Sequence, residues 1–197
     1  MLKGVPADAV VSPAACSEPQ HLAENLAPDR LYVMDGGYFQ YELLSRILQA
    51  QSSFVARVQP TIACEVQEER TIRREAAEAG VIREVVLSRV GAGERRKWIQ
   101  QPLRLVVAKT VDRTGVPLEL WLLTDRLDLP AELVALAYQQ RWTIELFFRW
   151  MKSVLKARHL IAHSANGVAL QMYAALIASL LVVLYSGRKL NRRMYET

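Results

Sequence analysis

Tyr138, Arg141, Glu145, Arg149, Lys152 and Lys156 follow one another at three- and four-residue steps. Wound as an α-helix at about 100° per residue, they fall within an arc of roughly 80°. Leu146, Phe147, Phe148, Trp150, Met151, Val154 and Leu155 fill the rest of the circumference. The spacing therefore predicts a helix that is apolar over most of its surface and mostly buried. On its polar strip one carboxylate stands among four cations and a phenol. That set suits a metal-bound, phosphate-handling site. Carboxylate oxygen is the ligand a hard divalent cation prefers. An Arg fork grips phosphate through two parallel hydrogen bonds, and Lys supplies a compact point charge. The ordinary alternative is a solvated ladder of i,i+4 ion pairs. Two features weigh against it: one acid cannot neutralise four bases, and surface helices rarely carry so wide an apolar arc.

A second carboxylate stands at a chemically useful place. Leu31 to Met34 is a short apolar run that reads as a buried strand ending at Asp35. Gly36 and Gly37 then predict a tight turn, and Tyr38 to Gln49 an amphipathic helix. An acid at a strand end beside a glycine turn is how an α/β sheet presents a ligand at its carboxyl edge. Before it, Pro6, Pro13, Pro19 and Pro28 punctuate irregular chain, with a short helix starting near Ser17. After it, Ser53 to Gln59 reads as a strand. Residues 60–102 are charged and β-rich, with a Glu/Arg patch over Glu65 to Glu78, an apolar run at Val85 to Val90 and a turn at Gly91 to Gly93. Leu103 to Val111 and Leu118 to Thr124 read as two strands joined by a hairpin at Asp112 to Gly115. Asp128, Pro130 and Glu132 mark the entry of one helix running to about Arg158.

Tyr138, Arg141, Glu145 and Lys152 have the Tyr-x2-Arg-x3-Glu-x6-Lys spacing of the insertion-sequence-four family of bacterial transposases, which this chain resembles. Asp35, Gly37 and Tyr38 are similar to that family's strand-end aspartate block; Gly36 stands where the family more often has Arg. The resemblance implies an α/β fold, an RNase H-like transposase catalytic core. It would be N-terminally truncated, with a β-rich insertion between the second aspartate and the catalytic glutamate helix. Residues 1–59 would be a partial core carrying the second Asp, 60–102 the insertion, and 103–197 the rest of the core with the Glu helix and a buried C-terminal helix. Asp35 and Glu145 would be catalytic and would hold metal, while Tyr138, Arg141 and Lys152 would contact DNA. The implied cofactor is a two-metal Mg²⁺ or Mn²⁺ site, incomplete here. The first aspartate is missing, since only Asp8 and Asp29 precede Asp35 and neither has matching neighbours. The implied function is DNA transposition, by strand cleavage and strand transfer, in a C-terminal portion that is weak or inactive as a nuclease. The alternative is a non-catalytic DNA-binding or dimerising fragment. The implied partners are double-stranded DNA at transposon ends and a second chain, as a homodimer or with a full-length transposase, in the bacterial cytoplasm at the nucleoid.

Composition bounds these readings. The chain has 197 residues, 51% of them hydrophobic, enough to bury a core and too apolar for disorder. A net charge of +5 favours an anionic partner without choosing one. Cys16 and Cys64 are too few and too far apart for a disulfide framework or zinc spacing, which fits a reducing compartment. Val168 to Tyr185 is nearly continuous apolar sequence, followed by Arg188, Lys189, Arg192 and Arg193. It is long enough to compete as a membrane span, yet reads better as a buried helix. Glu94 to Trp98 is a basic cluster with an aromatic, either a DNA contact or a solvated hairpin tip. His159 and His163 have i,i+4 spacing but no third ligand placed by spacing, so they read as ordinary histidines.

Overall fold

The computed structural model describes residues 17–91, 99, 101–111, 115–154 and 164–186, with backbone alone for 150–154, 182–183 and 186. The chain forms two compact units. One is Cys16–Arg141; the other contains the two C-terminal helices.

The first unit is built on apolar strands that alternate across a sheet. In chain order its elements are α1 (Glu18–Glu24), β1 (Leu31–Met34), α2 (Tyr41–Gln49), β2 (Ser53–Val58), β3 (Cys64–Glu69), α3 (Arg74–Glu78), β4 (Val81–Val90), β5 (Leu103–Val111), β6 (Pro117–Thr124) and α4 (Ala131–Gln140). All six strands join one sheet in the order β1-β2-β6-β5-β4-β3. β1 pairs with β2 in parallel, and α2 makes the crossover between them; every other pairing is antiparallel. A parallel pair needs such a crossover, whereas β5 and β6 pair as a simple hairpin. The fold is thus mixed α/β, as the resemblance implied. The β-rich stretch 60–102 supplies β3 and β4, and both extend the same sheet as the flanking strands.

Side chains of period two feed two hydrophobic layers. Phe54, Ala56, Leu105 and Leu123 face α2, whose Leu43, Leu44 and Ile47 are buried. Val55, Val106, Ala108 and Leu122 face the other way, against Ala76 of α3 and Ala131, Val134, Ala135 and Tyr138 of α4. The sheet is therefore covered by helices on both faces, and α4 is the helix that carries Tyr138. The β3 edge bears Glu65, Glu68 and Glu69 and two register shifts, which blunt it against further pairing. Gly80 links α3 to β4 at φ +87, and a Cβ there would sit 3.0 Å from the Lys109 carbonyl oxygen. Both facts require glycine.

Three expectations are corrected. The long helix through the signature residues is two helices, α4 and α5 (Trp142–Val154), with Arg141 between them as a turn residue. The Arg141 amide bonds back to the Tyr138 carbonyl at 3.0 Å, an i→i−3 bond that ends the α-helical ladder. Second, α5 is not buried all along its apolar side chains: Phe147 is buried, but Phe148 is exposed, as are Trp142 and Ile144 outside the arc, and the side chains of Trp150, Met151 and Val154 lie outside the described residues. Third, the C-terminal apolar run forms α6 (Ala165–Ser186), which buries Ala175 and Ser179 while Leu170, Ile177, Leu181 and Leu184 stay exposed. In α6 hydrophobicity runs around the helix, but among the described residues packing covers only part of it. Among the described residues no helix is long and apolar enough to cross a membrane.

Candidate functional site

Asp35 follows the last residue of β1 and caps the 3-10 turn Gly36–Tyr38. Its backbone stays extended, so the carboxylate turns back onto the first amide of the turn. Oδ1 accepts from the Gly36 N–H at 2.7 Å. The same oxygen accepts from the Tyr138 hydroxyl at 3.1 Å, across 103 residues of sequence. Oδ2 faces Nη1 of Arg141 at 3.7 Å, an ion pair rather than a hydrogen bond. The Arg141 guanidinium also lies over the Tyr138 ring, 5.5 Å from its centroid. The three side chains thus form a closed triangle at the carboxyl end of β1.

The fold explains the meeting. α4 packs against the sheet through Val134, Ala135 and Tyr138, and its last turn reaches the end of β1. Tyr138 buries its ring and keeps its hydroxyl for Asp35, the usual division of labour for a buried tyrosine. Arg141, one turn on, is on the same side. Its side chain is 18% exposed and that of Asp35 42%, so the triangle opens to solvent through the carboxylate.

The electrostatics favour a charged Asp35. Burial pushes its carboxyl up, but the Gly36 amide, Arg141, Tyr138 and Arg57 together outweigh burial and hold it below the usual range. Burial, then the Asp35 charge, push the Tyr138 phenol up, so it remains a donor. Arg57 is a residue that sequence reasoning missed. The parallel register pairs Met34 with Ala56, and one step further sets Arg57 beside Asp35. A readable signal existed: Arg57 is the lone charge in the otherwise apolar strand Ser53 to Val58.

Of the sequence-predicted residues, the structure brings together Asp35, Tyr138 and Arg141. Glu145 lies in the first turn of α5 and Arg149 further along it, exposed; both belong to the second unit. Lys152 is on the α5 backbone, with its side chain outside the described residues. Lys156, His159, His163, Asp8, the Glu94 to Trp98 cluster and the basic residues after α6 lie outside them altogether. Among the described residues no group of three His, Cys, Asp or Glu could hold a metal ion.

A second polar cluster fixes the approach to α4. Arg104 on β5 alternates with Leu103 and Leu105 and so points to the α4 face, where it is fully buried. It pairs with Glu84 of β4 at 3.2 Å. It donates to the carbonyls of Arg126 at 3.3 Å and Leu127 at 3.4 Å, and to that of Leu129. Arg70 adds a second cation on Glu84 at 3.4 Å and a bond to the Leu127 carbonyl at 3.2 Å. Burial pulls the Arg104 pKa down despite the pull of Glu84. These groups pin the loop that delivers the chain into α4.

Comparisons with known proteins give the chain's family. The family model described as the transposase DDE domain matches residues 2–181. A Sinorhizobium fredii protein bearing the transposase name y4zB is 33% identical over 162 residues, 82% of this chain and 43% of that protein. A Geobacillus stearothermophilus protein named as a transposase for insertion sequence element IS5377 is 29% identical over 153 residues, 78% of this chain and 38% of that protein. A Synechocystis protein named as a transposase for element IS4SA is 40% identical over 53 residues, 27% of this chain and 16% of that protein. The chain spans less than half the length of these relatives.

Proposed function

The chain belongs to the transposase DDE-domain family, and we propose that it acts in DNA transposition, on phosphodiesters at transposon ends. Tyr138, Arg141 and Lys152 are the proposed DNA contacts, and Asp35 and Glu145 the proposed catalytic carboxylates. The observation that supports this reading is the meeting of Asp35 with Tyr138 and Arg141. Two separate signature blocks, 103 residues apart, converge on one carboxylate at a sheet edge. Arg141 presents a fork of donors, which is what phosphate oxygens accept, and Tyr138 stands beside it with its hydroxyl donated to Asp35. A hydrolysis at an element end and the attack of a 3′-hydroxyl are both phosphoryl transfers, so positioning and charge carry most of the catalysis.

DDE transposase domains generally require a divalent metal, and Mg²⁺ or Mn²⁺ is the proposed ion. The Asp35 cluster as it stands does not fit one. Its donor set is a single carboxylate faced by a phenol, an amide and two arginines, and divalent ions are held by several oxygens. This observation favours the second reading, a DNA-binding or dimerising portion without cleavage of its own. Under either reading the core is proposed to be RNase H-like, divided at 1–59, 60–102 and 103–197. The partner is proposed to be transposon-end duplex in the bacterial cytoplasm, bound by a homodimer or together with a full-length transposase.

Two assays separate the readings. Under the first reading, supercoiled plasmid should be nicked with Mg²⁺ or Mn²⁺ by the wild type and not by Glu145→Gln; under the second, neither should nick it. Nicking that survives this substitution would remove Glu145 from the site. Binding of a labelled duplex in EDTA should weaken in Lys152→Ala, with the salt slope reduced by about 1. A wild type that neither binds duplex nor self-associates would refute both readings.

A further inference from the structure

Arg141 is asked to serve two anions. The reading above sends its fork to a DNA phosphate. The structure has it paired with Asp35 Oδ2 at 3.7 Å while Gly36 and Tyr138 occupy Oδ1. Both oxygens of the one carboxylate in this cluster are therefore faced by donors supplied by the chain itself. The pair is partly open to solvent at Asp35, so an incoming phosphate meets the carboxylate first and is repelled unless Arg141 turns to it.

We propose that Arg141 is the internal counter-ion of Asp35, and that a DNA phosphate competes with Asp35 for it. This rests on the DNA-binding reading above. Phosphate capture of Arg141 bares Asp35 Oδ2, so the carboxylate becomes available to other cations only when DNA is in place. Tyr138 stays on Oδ1 and keeps the carboxylate in position. The stacking of the guanidinium over the Tyr138 ring gives Arg141 a fixed pivot for the exchange. The competition is reciprocal, as any linkage must be: the Asp35 pair lowers the affinity for phosphate by the same factor by which bound phosphate weakens the pair.

The test is a double-mutant cycle on duplex affinity, read by fluorescence anisotropy with a fluorescein-labelled duplex in EDTA, so that neither metal nor cleavage enters. Asp35→Asn keeps the shape and the acceptor for Gly36 but removes the charge. It should tighten duplex binding about fivefold at low salt, the upper range for a partly exposed ion pair. In an Arg141→Gln background the same Asp35→Asn change should give less than about twofold, the general relief of one negative charge. Arg141→Met, which keeps the aliphatic stem, serves as an independent second background. A gain that requires Arg141 supports the proposal. An equal gain in both backgrounds, no gain or a loss overturns it, while duplex binding by the wild type still leaves the DNA-binding reading standing. A wild type that binds no duplex overturns both.

Discussion

Arg104→Met is the most informative stability perturbation. The Arg104 side chain is 1% exposed and its ion-pair partner Glu84 10%. Methionine keeps most of the aliphatic volume, so the change removes charge and donors rather than packing. What remains is a buried carboxylate facing Arg70, at 3.4 Å and about a third exposed. The carbonyls of Arg126 and Leu129 also lose a donor, while that of Leu127 keeps Arg70. Breaking a buried pair by deleting one partner costs about 3–5 kcal/mol. Arg70 softens the loss, which sets the expectation near the lower end, about 3 kcal/mol. In urea, with a slope of about 2 kcal/mol/M, the midpoint should fall by about 1.5 M.

Equilibrium unfolding followed by circular dichroism measures it, and a second variant identifies the cause. Glu84→Leu added to Arg104→Met removes the stranded charge and should recover about half the loss or more. A single-variant loss below about 1 kcal/mol would refute the claim that this pair anchors the approach to α4. A double variant no better than the single one would shift the cost from Glu84 to the loop carbonyls. Because the loop from Asp125 to Pro130 delivers the chain into α4, a loosened loop should also blur the placement of Tyr138 on Asp35.

Two smaller predictions follow from single contacts. Tyr38 donates to Glu18 at 2.7 Å, tying the 3-10 turn to α1, and burial with that bond pushes its phenol up to about 12. A raised folded-state pKa stabilises fully below the ordinary value and fades as pH rises through the folded one. The stability gap between wild type and Tyr38→Phe should thus be constant up to about pH 10 and shrink towards pH 12 in alkaline melts; a gap that does not change would refute the bond. Gly36→Arg should fold. Gly36 does not adopt a positive φ, and a Cβ there would meet the Arg57 carbonyl oxygen at an ordinary 3.8 Å. A thermal melt should show a change within about 0.5 kcal/mol, and a loss above about 1 kcal/mol would mean the turn needs glycine after all.

The elements best read from sequence are those where a pattern ends sharply. β1 is four apolar residues stopped by Asp35, and β5 and β6 alternate up to a turn; all three stand close to where the pattern puts them. Two failures share a cause. The break at Arg141 has no proline or glycine to announce it, and the exposure of α5 and α6 contradicts no residue in them. Helical periodicity says which side chains avoid water, but not which neighbour arrives to cover them. Arg57 and Arg104 make the point most clearly. Each is an arginine within a strongly apolar strand, and nothing local separates them. One is exposed beside Asp35; the other is fully buried against Glu84 and a loop. Strand order decides between them. β2 ends next to the acid at the tip of β1, whereas β5 lies between β6 and β4, where Glu84 waits. The six-residue stripe was therefore legible as a pattern of charges, while the partners of its members were not. Tyr138 and Arg141 meet Asp35 because α4 lies across the sheet, a fact of packing that no spacing along one helix contains.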